Sequence, residues 1–381
     1  MKHPFAHLRE AFPILEHKTY LASHSLGAVP TATQGALQEY YDAWAQDGIL
    51  AWEGPWYEAI GTFTHNIERV LRAPSGTVVP MTNATRAMAA VASCFDWSGN
   101  RDKIVLTDLE FTTSYPLWRG LERLGAQVEI VESPDGITVP TQDLIEAIDE
   151  RTRIVPTSHV YFRSGAIQDL ATVARAAHEK GAFVLGDGYQ AVGTVPVDVQ
   201  ALDVDFYVGG SHKWLCGGPG AGYLYVRESL VGQLRPRLTG WFGLESTFEY
   251  EFDAGPGMPA RGVERFLGGT PAIPALFAAR EGIATVRRAG IPDIRAYSQK
   301  VTQALLEEVE DRGWTVSSPQ DPADRSGMLC FQHPDGEAKV KALEAQGIIV
   351  DHRPDCGIRV SPHFYNTWDE VETFLDALEA A

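Results

Sequence analysis

The sequence predicts an α/β fold, a parallel sheet with helices on both faces, followed by a smaller α+β region. Three observations carry this expectation. From Gly76 onward, short apolar runs of strand character alternate with amphipathic segments of helix length, the pattern of a sheet built from crossover units. Two of the apolar runs lead into residues with chemistry: Asp187 closes Ala182-Phe183-Val184-Leu185-Gly186, and Lys213 follows the run from Val204 to Gly210. After Gly240 the alternation gives way to a long helical pattern with few, short strands.

In chain order, residues 77–79 read as a strand and 84–95 as a helix, entered through Thr82-Asn83-Ala84-Thr85, where Asn83 or Thr82 is a plain N-cap. Residues 103–107 form a strand, and 114–124 a helix with apolar positions at helical spacing. Further strands fall at 127–131, 153–155 and 183–185, with helices at 144–148 and 170–180 between them. The second of these helices has Asp169 placed to cap its start and Gly181 just past its end. In the C-terminal part a helix over 273–288 breaks near Gly290 and Pro292 and resumes to about residue 311. Short strands at 328–332 and 348–350 and helices at 338–346 and 368–378 complete the pattern.

The 381 residues are 44% hydrophobic and 22% charged, which is ordinary globular composition with length for two or three domains. Fifty acidic side chains against 32 basic ones give a net charge of −18. Such a balance repels nucleic acid and anionic membranes, so neither is an expected partner. Cys94, Cys216, Cys330 and Cys356 are scattered, with no CxxC pair, which argues against a disulfide framework and against a thiolate metal site. No His-Glu-x-x-His is present, and Gly217-Gly218-Pro219-Gly220 lacks the Lys-Ser/Thr of a nucleotide loop. The start of the chain lacks the apolar stretch of a signal peptide, and no uncharged run reaches membrane-spanning length. A cytoplasmic protein without a metal is the expectation.

In parallel sheets, ligands bind beyond the carboxyl ends of the strands. Asp187 and Lys213 both fall at such ends, which offers an acid and an amine to one crevice. Pyridoxal 5′-phosphate needs that pair: a lysine condenses with its aldehyde, and a carboxylate keeps the pyridine nitrogen protonated so that the ring accepts electrons. The helix start at Ala84 and Thr85 can receive a phosphate through free backbone N–H groups. Phe111, after the strand 103–107, is equally a core residue or a stacking partner for a flat ring. Arg359 can grip a carboxylate with two parallel hydrogen bonds, although a surface ion pair is the commoner fate of one arginine.

Beyond these physical readings, the chain resembles the fold type I, class V pyridoxal phosphate enzymes, and within them most of all the kynureninases. The resemblance is carried by His24-Ser25-Leu26-Gly27, by Ser158-His159-Val160, and by the stretch from Asp187-Gly188-Tyr189-Gln190-Ala191-Val192-Gly193 to Lys213-Trp214-Leu215-Cys216-Gly217-Gly218-Pro219-Gly220. Gly240-Trp241-Phe242-Gly243, Arg265-Phe266-Leu267-Gly268-Gly269-Thr270 and Gly357-Ile358-Arg359-Val360 complete it. It implies a mainly parallel seven-stranded sheet, an N-terminal arm over 1–20, a large cofactor-binding domain over 21–272 and a small domain over 273–381. By position, Lys213 is implied as the covalent lysine and Asp187 as the partner of the ring nitrogen. Phe111 would stack on the ring, Ala84 and Thr85 would hold phosphate, and Gln190 and His212 would flank the cofactor. Trp241 and Thr270 would reach the phosphate of a neighbouring subunit's cofactor, which implies a homodimer. Arg359, with His24 and Ser25, would bind a small amino-acid substrate.

The chain departs from the kynureninase pattern at several places. His212 replaces a tyrosine before the lysine, Gln190 replaces a histidine, and Thr112-Thr113-Ser114 follows Phe111. Two readings of the reaction stand together. One is cleavage of the Cβ–Cγ bond of an L-kynurenine-type amino acid by water. The other is a different class V reaction: transamination, C–S cleavage or racemisation.

Overall fold

The computed structural model describes residues 2–246, 255 and 257–380. Its centre is a seven-stranded sheet. The strands in chain order are β1 (Val78–Met81), β2 (Lys103–Thr107), β3 (Gln127–Val131), β4 (Thr152–Ser158), β5 (Phe183–Asp187), β6 (Phe206–Gly210) and β7 (Gly222–Val226). Across the sheet they run β1-β7-β6-β5-β4-β2-β3. All neighbouring pairs are parallel except those that β7 makes with β1 and β6. The mainly parallel seven-stranded sheet implied by the resemblance is thus present.

Both faces of the sheet are covered, as successive side chains on each strand require. Ile104, Leu106, Leu185, Phe206 and Val208 pack into one cluster with the helix Ala84–Ala92. The intervening Val105, Val184 and Tyr207 join the other cluster, which holds the helix Leu170–Glu179 and much of Ile273–Ala289. That arrangement explains why the central strands are almost wholly apolar: neither face meets water.

Several expected elements match closely, and the differences have local causes. The helix expected over 114–124 stops at Arg119, and Gly120–Leu124 continues as a 3₁₀ turn; a glycine in that position weakens α-helical propagation. Asp169 caps its helix by accepting the Thr172 N–H at 3.1 Å, and Gly181 follows with φ of 69°. The break near Gly290 is present, with φ of 81° there and a new helix over Ile291–Asp311. The sequence reading missed β7, as well as the long helices Ala32–Asp47 and Pro55–Leu71 that pack on Ile273–Ala289.

A second, four-stranded antiparallel sheet lies in the C-terminal part, in the order Asp351–Arg353, Gly357–Val360, Leu329–Gln332, Thr315–Val316. The expected strand at 348–350 is two short pieces: Ile348–Ile349 pairs in parallel with Thr19–Tyr20, and Asp351–Arg353 joins the four-stranded sheet. The chain start is therefore stitched to the C-terminal region by backbone hydrogen bonds. Ala22 bridges Ser361 in the same way.

Candidate active site

Strands β5 and β6 are parallel neighbours, with Asp187 level with Val208. Asp187 is the last residue of β5 and Lys213 lies three residues beyond β6, so both stand at the same edge of the sheet. The Asp187 carbonyl accepts the His159 N–H at 2.8 Å, and its carboxylate accepts the Tyr189 N–H at 2.9 Å. The lysine loop is held by its backbone: Cys216 N–H donates to Lys213 O at 3.0 Å and Gly217 N–H to Ser211 O at 2.8 Å. From the chain start, Gly27 N–H donates to His212 O at 2.8 Å. Gly27 lies so close against the Lys213 carbonyl that any Cβ there would collide with it.

A cavity of about 180 Å³ opens between these elements. Lys213, Asp187, Phe111, Ala84, Thr85, Gln190 and His212 all line it, together with Asn83, Thr113, Ser158, Val160, Phe162 and Tyr189. The lysine Nζ lies 5.5 Å from the Phe111 ring centre and 5.0 Å from that of Tyr189. Among the described residues no carboxylate is within ion-pair reach of it. Burial brings the Lys213 amine down to about 8, against the pull of Asp187. Burial pushes Asp187 up to about 6, opposed by the Tyr189 N–H and by Lys213. Asp187 therefore keeps its charge at a cost that a cationic ring beside it would relieve.

The Lys213 shift has a testable sign. Only the neutral amine attacks an aldehyde, and a lowered pKa makes it available at lower pH. Loading of apoprotein with pyridoxal phosphate is expected to speed up from about pH 7 to about pH 9, with a midpoint near 8 rather than near 10. Stopped-flow absorbance across that range checks it; a midpoint near 10 would show an ordinary exposed lysine.

The helix Ala84–Ala92 begins at the cavity wall. Asn83 is its N-cap, accepting the Arg86 N–H at 3.0 Å. The first turn leaves the Ala84 and Thr85 N–H groups without intrahelical partners, an arrangement suited to an anion. The Thr85 hydroxyl meets that of Thr113 at 2.7 Å. Gln190 is fixed at both ends: its Nε2 donates to His24 O and its Oε1 accepts Trp214 Nε1–H, each at 3.0 Å. His212 Nδ1 pairs with the Tyr189 hydroxyl at 2.8 Å, and burial holds its pKa down at about 4, so the ring is neutral.

Five sequence-predicted residues do not line this cavity. Thr270 lines a neighbouring one of about 150 Å³ with Thr82 and Arg86, and Trp241 lies on the partly exposed turn Trp241–Gly243. Arg359 and His24, both buried, and the half-buried Ser25 gather around Asp351 instead. The Arg359 Nε and one terminal nitrogen donate to the two oxygens of Asp351 at 2.8 and 2.6 Å, and the other terminal nitrogen donates to Phe162 O at 2.8 Å. His24 is fully buried, with Nδ1 2.6 Å from Ser361 Oγ and Nε2 3.0 Å from Asp351. Both of its ring nitrogens are thus already engaged.

Three residues of evident consequence escaped the sequence reading. Tyr189 faces the cavity and holds His212. Asp351 collects Arg359, His24 and Ser25. Glu110 is buried between the ends of β2 and β4, where it accepts from the Thr107 hydroxyl, the Thr157 hydroxyl, and the N–H and hydroxyl of Ser158. Burial raises its pKa to about 7, partly offset by these donors. A charged residue between an apolar strand and the cavity-lining Phe111 was the available signal for Glu110; Asp351 gave none, because its partners are distant in sequence.

The donor set in the cavity lining suits pyridoxal 5′-phosphate: an amine for the aldehyde, an acid for the ring nitrogen, an aromatic ring to stack on, and a helix start for the phosphate. A family model described as aminotransferase class-V matches residues 19–374. The chain belongs to this family. The class-V chain has the fold type I architecture, and its cofactor is pyridoxal 5′-phosphate. It is 30% identical to the kynureninase of Shouchella clausii strain KSM-K16, over 99% of this chain and 91% of the relative. It is 29% identical to an uncharacterized aminotransferase of Bacillus subtilis strain 168, over 100% and 99%. An apo cysteine desulfurase from Thermococcus onnurineus NA1 shares the fold with a TM-score of 0.87 at 24% identity, covering 100% of this chain and 98% of that one. The cystine C-S lyase C-DES, solved with its reaction product cysteine persulfide, gives 0.87 at 24% identity, covering 96% and 98%.

Among the described residues, no group of three His, Cys, Asp or Glu side chains could hold a metal ion, and no helix is long and apolar enough to cross a membrane.

Proposed function

We propose that this class-V enzyme is a kynureninase-like hydrolase that cleaves the Cβ–Cγ bond of an L-kynurenine-type amino acid, giving alanine and an acyl product. The observation that carries the reading is the near full-length similarity to a kynureninase together with the Trp241 and Thr270 motifs. When bound, pyridoxal phosphate supplies an aldehyde that captures the substrate amine and an electron sink for the charge left by proton loss. Lys213 is the base that takes the proton from Cα and returns it, and its lowered pKa suits a base working near neutrality. Asp187 holds the ring-nitrogen proton in place. Arg359 binds the substrate carboxylate through N–H groups not used by Asp351 and Phe162. Phe111 packs on the ring, Ala84 and Thr85 hold the phosphate, and Gln190 and His212 flank the cofactor.

In this reading two copies pair so that Trp241 and Thr270 complete the partner's phosphate site, and the enzyme works in the cytoplasm, in tryptophan catabolism. Its chain divides into an arm over 1–20, a large domain over 21–272 and a small domain over 273–381.

A second reading, another class V reaction, is favoured by His212 and Gln190. Its desulfurase form needs a mobile cysteine nucleophile. Cys216, Cys330 and Cys356 are buried, Cys94 is partly so, and none of the four lines the cavity. Transamination or C–S cleavage is the stronger form of this alternative. Purified, cofactor-loaded enzyme is expected to release alanine from L-kynurenine or 3-hydroxykynurenine. A keto-acid product, with the cofactor left as its amine, would instead establish transamination.

A further inference from the structure

Asp351 draws together groups from two ends of the chain. Its Oδ1 accepts from Arg359 Nε at 2.8 Å and lies 3.0 Å from His24 Nε2; its Oδ2 accepts from an Arg359 terminal nitrogen at 2.6 Å and from the Ser25 hydroxyl at 2.9 Å. An Arg353 terminal nitrogen lies 3.1 Å from Oδ2. The pairing is set by the antiparallel register that places Asp351 opposite Arg359. His24 is anchored from behind by Ser361, both through its ring and through its backbone N–H at 3.0 Å. The same residue's carbonyl holds Gln190, which lines the cofactor cavity.

Arginine has five N–H donors in a fixed plane. Asp351 occupies two of them and the Phe162 carbonyl a third, so two remain. The guanidinium is buried and locked in one orientation, with its remaining donors limited to those two. Two arginines around one aspartate leave the group with a positive balance, so an incoming carboxylate is still attracted.

We propose that Asp351 is a positioning residue for substrate-carboxylate recognition: it presets Arg359, and His24 and Ser25 act through it rather than on the substrate. This rests on the reading that Arg359 is the carboxylate site, and it is independent of which bond the enzyme breaks. Ordering a long side chain at the moment of binding costs conformational entropy, so losing the preset orientation is expected to weaken binding by up to about tenfold.

The test is equilibrium binding to cofactor-loaded enzyme, followed by the change in the cofactor's visible spectrum, with L-alanine and with ethylamine, which lacks the carboxylate. Asp351→Asn is expected to weaken L-alanine binding by roughly five- to tenfold while the ethylamine affinity and the spectrum of the unliganded enzyme stay as in the parent. Ser25→Ala, which removes one donor and leaves the ion pair, is expected to move L-alanine in the same direction by a smaller factor, and serves if Asp351→Asn does not fold. Unchanged or tighter L-alanine binding in the variant that folds overturns the proposal, as does an equal loss for ethylamine. Arg359→Met separates the two readings: if it leaves L-alanine binding intact, the carboxylate site itself is wrong and the role of Asp351 falls with it. If it weakens L-alanine alone while the Asp351 and Ser25 variants do not, only the positioning role fails.

Discussion

Lys213→Ala is expected to lower kcat by at least ~10³-fold, because one side chain both anchors the cofactor and moves the Cα proton, and loss of a positioned acid–base group alone is worth about 10²–10⁴. The fold should not suffer. The loop is held by backbone hydrogen bonds from Gly27, Cys216 and Gly217, none of which uses the amine, and removing a buried amine removes a desolvation cost. The melting temperature of the apo variant is therefore expected to match or exceed that of the parent. Borohydride reduction of loaded parent enzyme, followed by peptide mass analysis, should place the label on the Lys213 peptide, and the variant should take up none. A label on any other lysine would sink the assignment.

Asp187→Asn is expected to cost about 10–10³-fold in kcat, the equivalent of one to three units of ring-nitrogen pKa at about 1.4 kcal/mol each. Asparagine keeps the shape of the side chain and can still accept the Tyr189 N–H, so the change isolates the charge. The parent carboxylate is enclosed and carries one hydrogen bond in addition to its attraction to Lys213, so a cationic ring is the partner it lacks. Apo variant is expected to be no less stable than apo parent near neutral pH, where the parent buries an ionised acid. Binding of the cofactor should then stabilise the variant less than the parent, which thermal melts with and without pyridoxal phosphate would read. A variant with parental kcat would mean that the ring works without its nitrogen protonated.

The sheet was legible because its signal is local. A strand buried on both faces must be apolar over most of its length, and β2, β5 and β6 read that way; β3, Gln127-Val128-Glu129-Ile130-Val131 at the sheet edge, shows polar–apolar alternation instead. Asp187 and Lys213 stood out for the opposite reason, as charged groups placed just where such runs end. Strand β7 was missed because Gly222-Tyr223-Leu224-Tyr225-Val226 follows a glycine-rich turn and lies antiparallel, outside the alternation that identified the others. The helices Ala32–Asp47 and Pro55–Leu71 were missed because they precede the first strand of the sheet and so lie outside the strand–helix alternation.

The candidate site divides along the same line. Phe111, Ala84, Thr85, Gln190 and His212 reach the cavity from strand ends and helix starts whose positions follow from the α/β pattern. Sequence order alone determined the fold class and the acid–amine pair, because a parallel sheet delivers the ends of neighbouring strands to one edge whatever the remaining contacts are. Tertiary packing decided the Asp351 group. His24 and Asp351 are brought together only when the chain start pairs with Ile348–Ile349 and crosses Ser361, and no local periodicity records a contact made across more than three hundred residues.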